Sequence, residues 1–371
     1  MKTLIVAIAF FFMHLGMAQF GDIGELGGFQ KGINQKPEFY ILNWQPGMQL
    51  AEKTTALSIE VDSMGLQPLK ALVDVNGRTV LYTSDISTPV CADGDCRSME
   101  IRLYWTLLGE YAGFDRYRNA PLTKHDHDEF LSADYLKLHQ LLMDDNSILK
   151  RRKIDELVDK PKQPEMEGVD AVAGATIKEV KESVVGGALY SCYSAWHLVH
   201  GPVKEQIKKR TLESLDNEKL FTMLQSNNSD YQLFVLKKLS ESQYESNYVR
   251  IAEVFEIGIP LVRTFVIKNL PESFWDSEQL QKPFWESFSK VDINSRSLLL
   301  DHLENSPESV MKNLSGQLKG MTKNQLKIYL EYLASSEKIN PQIKANLENF
   351  SSSDTEINAY LVTYFLEDYE Q

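Results

Sequence analysis

Apolar and polar residues alternate along several stretches in the first third of the chain, as they do in strands of a sheet that buries one face. Four such runs are Ala56–Val61, Leu69–Val75, Thr79–Thr83 and Met99–Trp105. The second and third flank Asn76-Gly77. This dipeptide indicates a tight hairpin, because we expect both of its residues to adopt positive φ. We therefore predict a small antiparallel sheet between residues 54 and 115.

The apolar spacing changes to a helical one after residue 116. Leucines at helical spacing predict a helix over Ser132–Met143. A second, longer helix is predicted to end near His200, because apolar residues recur there at every fourth position: Val180, Val184, Ala188, Cys192 and Trp196. Gly186-Gly187 interrupts this pattern. Glycines in a helix favour close packing with another helix, or with a flat ligand.

The C-terminal half is predicted to be a helical repeat. Five helical segments end in leucine, at positions 239, 270, 303, 333 and 366. Serine follows three residues after the first four leucines and is predicted to cap the next helix; these serines are Ser242, Ser273, Ser306 and Ser336. A period of about 32 residues built from helix pairs is similar to HEAT arrays. We therefore predict an all-α HEAT-like solenoid that binds a protein partner.

The N-terminus has the pattern of a secretory signal peptide. Lys2 precedes the apolar run Leu4–Met13, and the small residues Gly16 and Ala18 predict cleavage after residue 18. The apolar run is too short to cross a bilayer, although an uncleaved anchor or a buried helix stays open. We predict a secreted or periplasmic protein with no transmembrane segment in the mature chain, beginning with a lead-in segment over residues 19–53.

The net charge of the chain argues against one class of function. The chain of 371 residues carries 39 basic and 52 acidic residues, a net charge of −13, which argues against nucleic-acid binding.

The three cysteines are predicted to have two different roles. Cys91 and Cys96 bracket a short polar loop, and because disulfides form in exported proteins they are predicted to form one. Cys192 lies on an apolar helix face and is predicted to be a buried, unreactive thiol.

Residues Asp170-Ala-Val-Ala-Gly-Ala-Thr176 resemble the Asp-x-x-Ser/Thr-Gly-Ala-Thr signature of FMN-binding domains. Such domains occur in subunits of sodium-pumping quinone reductases and related electron-transport complexes. The resemblance covers roughly residues 100–203. It implies an FMN-binding-like domain over residues 54–203. With the helical repeat domain predicted above for residues 204–371, the chain is predicted to have an α+β fold. The implied phosphate-binding residues are Asp170, Gly174, Ala175, Thr176 and Lys178.

Two residues depart from this family pattern. Ala173 replaces the Ser or Thr of the signature, and Lys178 stands where the family attaches flavin covalently. An amine cannot form that phosphoester bond, so the resemblance implies at most non-covalent FMN, held by a periplasmic electron-transfer protein. The alternative is a non-enzymatic interaction protein whose repeats bind a partner and whose flavin site is degenerate. The sequence leaves open whether the protein is an enzyme.

Histidines cluster in the region of the proposed flavin site. They are His125, His127, His139, His197 and His200. His125 and His127, with Asp126 or Asp128, have the chemistry of metal ligands, but the spacing fixes no third ligand. We therefore predict no metal site. Tyr190, Tyr193 and Trp196 follow the glycine pair and would either stack on a flavin ring or belong to the core.

Overall fold

A computed structural model describes residues 32–61, 65–88, 98–117, 119–124, 127–159, 175–176, 178–336 and 339–369. The chain forms two compact units, divided between Ser214 and Leu215. The first contains an antiparallel half-barrel sheet with helices, and the second is helical, so the α+β fold class predicted above is confirmed. The predicted signal peptide and both cysteines of the predicted disulfide lie outside the described residues.

Seven strands of the first unit form one antiparallel sheet with the order β1-β3-β4-β5-β6-β7-β2. The strands are β1 Gly32–Ile33, β2 Phe39–Tyr40, β3 Leu50–Val61, β4 Gly65–Val73, β5 Thr79–Thr88, β6 Met99–Trp105 and β7 Tyr111–Arg116. Three of the four strand-like runs fall within these strands, and the run Leu69–Val75 extends two residues beyond the end of β4. The two short strands β1 and β2 come from the lead-in segment, where no periodicity revealed them.

The predicted hairpin is present, but its turn differs from the predicted one. Gly77 has φ +76°, whereas Asn76 does not adopt positive φ. The amide of Gly77 donates to the carbonyl of Asp74 at 2.9 Å, and Asp74 in turn donates to Arg78 at 2.9 Å. Only Gly77 therefore requires a left-handed backbone, as in a longer loop in which one glycine follows an ordinary turn.

The described residues of the first unit contain four α-helices. They are α1 Ser132–Met143, α2 Lys178–Ser183, α3 Leu189–His200 and α4 Val203–Glu213, of which α1, α3 and α4 contact strands of the sheet. The bounds of α1 match the prediction. The predicted long helix is two helices, α2 and α3, separated by a turn in which Gly187 has φ +74°. The predicted apolar stripe from Val180 to Trp196 is nevertheless buried throughout.

Helix α4 belongs to the sheet unit, although its residues fall within the repeat domain predicted from position 204. The Thr211 hydroxyl donates to the carbonyl of Leu107 at 2.6 Å. The Lys204 ammonium pairs with Glu110 at 2.7 Å. These contacts join α4 to the turn between β6 and β7.

A charged network crosses the face of the sheet opposite α3. Arg102 on β6 is 5% exposed and makes two hydrogen bonds to Asp85 on β5, at 2.5 and 3.0 Å. Lys70 on β4 bridges Asp85 at 3.2 Å and Glu52 at 2.8 Å. Burial raises the pKa of Asp85 and is the largest single influence, but the hydrogen bonds from Arg102 and Tyr117 and the charges of Arg102 and Lys70 together outweigh it, so the net pKa is lowered. Asp85 is therefore ionised in the folded state at neutral pH.

Ten helices of the second unit form two layers. The first layer contains α5 Asn217–Gln225, α8 Tyr248–Ile257, α11 Glu278–Glu286, α13 Glu308–Ser315 and α15 Pro341–Ser351. The second layer contains α6 Ser229–Leu236, α9 Pro260–Asn269, α12 Ile293–Leu300, α14 Lys323–Ser336 and α16 Ala359–Tyr369. Two short helices, α7 Glu241–Ser246 and α10 Glu272–Asp276, precede α8 and α11. Consecutive second-layer helices contact one another from α6 to α16.

Hydrogen bonds between successive repeats have the period that the leucines predicted. Ser273 donates to Glu241, 32 residues earlier, and Asn340 donates to Glu308, again 32 residues earlier. Ser309 donates to Glu278, 31 residues earlier. The five predicted leucine-ending segments all fall on or next to second-layer helices. The leucine pattern therefore followed one layer of the repeat.

The predicted serine caps are wrong. Ser242 and Ser273 lie inside α7 and α10, and Ser336 is the last residue of α14. The Ser306 hydroxyl donates back to the carbonyl of Leu303 at 2.6 Å. Other side chains accept the first-turn amides, including those of Asp216, Asn228, Ser277, Asp292 and Asn340. After Leu239, Leu270, Leu303 and Leu333, the next α-helix begins two, two, five and eight residues later, so a fixed offset from leucine missed the caps.

No helix among the described residues is long and apolar enough to span a membrane.

Candidate functional site

The predicted phosphate-binding residues are only partly within the described chain. Ala175 and Thr176 form strand β9, which pairs antiparallel with β8, Val158–Asp159. Lys178 is the exposed first residue of α2. Asp170 and Gly174 lie outside the described residues. Ala175, Thr176 and Lys178 therefore lie near one another only because they are close in the sequence.

Helix α2 is a weak anion site. It has six residues, and Glu179 lies in its first turn. A carboxylate at that position opposes binding of a phosphate, because both groups compete for the positive end of the helix.

The glycine pair Gly186-Gly187 also has an explanation other than close packing with a helix or a flat ligand. Gly187 requires positive φ, and a side chain at Gly186 would meet nothing within 4 Å. Flavin binding stays a prediction.

The aromatic residues that follow the glycine pair contact protein groups. Trp196 is buried, and its indole donates to the carbonyl of Asp144 at 2.8 Å. The ring of Tyr193 lies 4.2 Å from that of His197, and both side chains are half-buried. These contacts agree with the core interpretation of Trp196.

The histidines of α3 bond to backbone. Nε2 of His197 lies 3.2 Å from the carbonyl of Leu149, and Nε2 of His200 lies 3.0 Å from that of Leu142. His127 is in a turn with φ 68°, and His125 lies outside the described residues. The described part of the chain contains no group of three side chains that could hold a metal ion. Cys192 is buried, and burial raises the pKa of its thiol to about 12.

Three half-buried histidines predict that the first unit is sensitive to acid. Burial lowers the pKa of His139 and His197, and that of His200 to about 4. Unfolded histidine titrates near 6.5, so the unfolded chain binds protons before the folded chain does. We expect the free energy of unfolding to fall as the pH drops from about 6.5 to about 4. Hydrogen exchange of α3 amides in urea at several pH values would measure this.

A His200→Gln variant is the control for this pH dependence. Glutamine keeps a donor for the carbonyl of Leu142, the partner of His200, but does not titrate. The decline of stability with falling pH should be shallower in this variant. An unchanged pH profile would show that His200 titrates as in the unfolded chain.

A cavity of about 340 Å³ opens in the repeat unit. It lies where the turns from first-layer to second-layer helices of successive repeats meet. The buried rings of Phe288 and Phe350 line it together with polar side chains, among them Arg296, Gln317, Lys319, Asn346 and Asn349. This volume is within the range of small-ligand sites.

Arg296 on α12 is the chemically distinctive residue of this cavity. Its Nη1 donates to the carbonyl of Gly320, whereas its Nε is buried without a hydrogen-bond partner among the described residues. In the same part of the chain no carboxylate lies within salt-bridge distance of Arg296. The Oε1 atom of Gln317 is also buried and unpaired there. A buried guanidinium nitrogen and a buried amide oxygen therefore both lack partners at one cavity.

Arg263 shows how the same position is satisfied one repeat earlier. Arg263 and Arg296 are each the fourth residue of a second-layer helix. The guanidinium of Arg263 donates to the carbonyls of Phe255 and Glu256, at 3.0 and 2.8 Å, and to the carboxylate of Asp292 at 3.2 Å. Two equivalent arginines thus have different surroundings.

The edge that carries the cavity continues through successive repeats. Glu256 accepts hydrogen bonds from Ser287 and Lys290 of the next turn. Lys319 pairs with Glu356 of the following turn at 3.4 Å. We call this surface the turn edge; its turns span residues 256–261, 287–293, 316–323 and 352–358.

The turn edge exposes large apolar side chains. These are Ile257, Ile259, Leu261, Ile293 and Ile357, which are 48% to 91% exposed. Single exposed apolar residues are ordinary on protein surfaces. Here three of them lie in the turn 256–261, and one lies in each of the turns 287–293 and 352–358, so three of the four turns expose a large apolar side chain.

Sequence reasoning missed this site, although one signal was available. Arg263 and Arg296 are 33 residues apart, close to the leucine period. The residue directly before the next second-layer helix is Asp292 in the repeat after Arg263 and Thr322 in the repeat after Arg296. Comparison of these two positions would have shown that only the first is acidic. Comparisons with protein-family models, with curated proteins and with solved structures find no match for this chain.

Proposed function

We propose that this protein is a binding protein whose helical repeat unit docks a protein partner along the turn edge. The observation that carries the proposal is that three of the four turns of that edge expose Ile or Leu side chains. Solenoids present extended surfaces of this kind. Single exposed apolar residues are ordinary, but several along one edge are typical of a surface that a partner covers.

Charge favours a protein segment as the occupant. The whole chain is acidic, yet the guanidinium of Arg296 has no carboxylate partner among the described residues. A segment with apolar residues for the edge and an acidic residue for Arg296 would complement both features. Electron transfer through bound FMN has no comparable support from contacts of the described residues.

Site-specific photocrosslinking tests this function. Benzoylphenylalanine would replace Leu261, Ile293 or Ile357 in the full chain, in cells that produce the protein naturally. We expect one protein to crosslink from all three positions, because a single partner would cover them. Mass spectrometry would then identify that partner. Different proteins at each position, or none, would contradict a common docking edge.

Val249 provides the matched control. Its side chain is 51% exposed on α8, outside the turn edge. We expect Leu261→Glu to reduce partner capture about tenfold or more, as expected for loss of a central apolar contact, whereas Val249→Glu leaves it unchanged. Equal losses in the two variants would show that the turn edge is not the docking surface.

A further inference from the structure

We propose that the Arg296 cavity receives a carboxylate and, because this builds on the proposed partner-binding function, that an Asp or Glu side chain of the partner supplies it. The chain itself contains the model for this contact. At Arg263, the equivalent residue, Asp292 provides a carboxylate 3.2 Å from Nη1. Arg296 keeps the guanidinium but lacks the acid.

One residue explains why Arg296 has no carboxylate partner like that of Arg263. Asp292 precedes α12, caps its first turn and also accepts from Arg263. Thr322 precedes α14, the next second-layer helix, and its hydroxyl accepts from the Gln325 amide at 3.3 Å. Threonine thus caps the helix as aspartate does, but it brings no negative charge to Arg296.

The cavity suits a carboxylate in chemistry and in size. A guanidinium presents parallel N–H groups that match two carboxylate oxygens, and the buried, unpaired Nε of Arg296 is one such donor. Amides of Asn346 and Asn349 also line the cavity. A volume of about 340 Å³ accommodates an acidic side chain.

Glycine at position 320 keeps room beside the guanidinium. A Cβ atom there would lie 3.3 Å from Nη1 of Arg296. The C-terminal ends of α13 and α15 also border the cavity, at Ser315 and near Phe350. Their partial negative charges oppose an anion, so we expect a lone carboxylate to bind with a Kd on the order of millimolar.

The test uses the ¹H–¹⁵N spectrum of the full chain. The Nε–H signal of Arg296 would be assigned by its loss in an Arg296→Lys variant. The probe is N-acetylglutamic acid α-amide, and the matched neutral probe is N-acetylglutamine α-amide. We expect the acid, and not the neutral amide, to shift the Arg296 signal. The Nε–H of Arg263 already donates to Phe255 and should not move.

A Thr322→Asp variant then supplies the carboxylate within the chain. Aspartate is a good helix cap, so α14 should be preserved. We expect the new carboxylate to pair with Arg296, to raise the Tm and to weaken binding of the acidic probe at least tenfold. Arg296→Gln, followed through the backbone amide signal of Gly320 in the cavity lining, should weaken probe binding as much, without raising the Tm.

Three results would overturn the proposal. They are no shift of the Arg296 signal with the acid, an equal shift with the neutral amide, or a shift with inorganic phosphate added in place of the acid. The proposed function is tested separately. Crosslinking from Leu261 without a response of Arg296 would reject the carboxylate site and keep partner docking. A response of Arg296 without any crosslinked partner would keep the cavity's chemistry and reject the docking function.

Discussion

Replacing Arg102 with methionine is expected to lower the free energy of unfolding of the first unit by about 3 kcal/mol. The side chain of Arg102 lies 2.5 Å from Asp85 and 3.3 Å from Glu52. Methionine retains much of the apolar volume but leaves both carboxylates without this partner. Removing one member of a buried ion pair is costly because the remaining charge stays buried.

A loss at the lower end of the range that is usual for breaking a buried ion pair is expected for a structural reason. Nη1 of Arg102 is buried without a hydrogen-bond partner among the described residues, so the substitution also removes an unsatisfied donor. Lys70 remains as a cation for Asp85 and Glu52. Hydrogen exchange of β5 and β6 amides in a urea series would measure the loss in this unit separately from the repeat unit.

Arg78→Met is the matched control for Arg102→Met. Arg78 pairs with Asp74 at 2.7 Å, but its side chain is 46% exposed. Exposed pairs contribute little, so we expect a loss below about 1 kcal/mol. Equal losses in the two variants would show that water reaches the network around Arg102.

Gly109→Ala is expected to destabilise the first unit by about 3 kcal/mol. Gly109 has φ +77° in the turn between β6 and β7. A Cβ atom there would lie 2.3 Å from the carbonyl oxygen of Lys204 and 2.7 Å from its Cα. Alanine would therefore be strained in its own backbone and would also push α4 away from the sheet.

Gly77→Ala separates these two causes. Gly77 has nearly the same φ, +76°, but a Cβ atom there would meet nothing within 4 Å. We expect a loss of about 1 kcal/mol from the backbone alone. Urea-dependent hydrogen exchange would compare both variants, and faster exchange of α4 amides is expected only for Gly109→Ala. Equal losses would mean that α4 is not held against this turn.

The helical repeat shows why some of the fold was predictable. Leucine spacing reports burial that recurs along one helix layer, and such spacing is a local property of the sequence. The bounds of α1 followed from the same local pattern. The serine caps failed because the next helix begins between two and eight residues after the leucine. Capping depends on that starting position, which leucine spacing does not encode.

The candidate site could not be predicted from motifs. Arg296 and Phe350 line one cavity although 54 residues separate them in the chain. The predicted flavin site was drawn from the short motif around Thr176 and from Lys178. Its residues within the described chain form a short strand and the start of a six-residue helix.

The sequence by itself determined the antiparallel sheet, the helical repeat and its period, because alternation and helical spacing follow directly from which face of each element is buried. Only the tertiary structure decided that a turn containing Gly187 separates two helices, that α4 packs on the sheet and that Arg296 lacks the carboxylate found at Arg263. These features depend on backbone angles and on residues far apart in the chain. Packing of distant elements therefore created the site that the local pattern could not reveal.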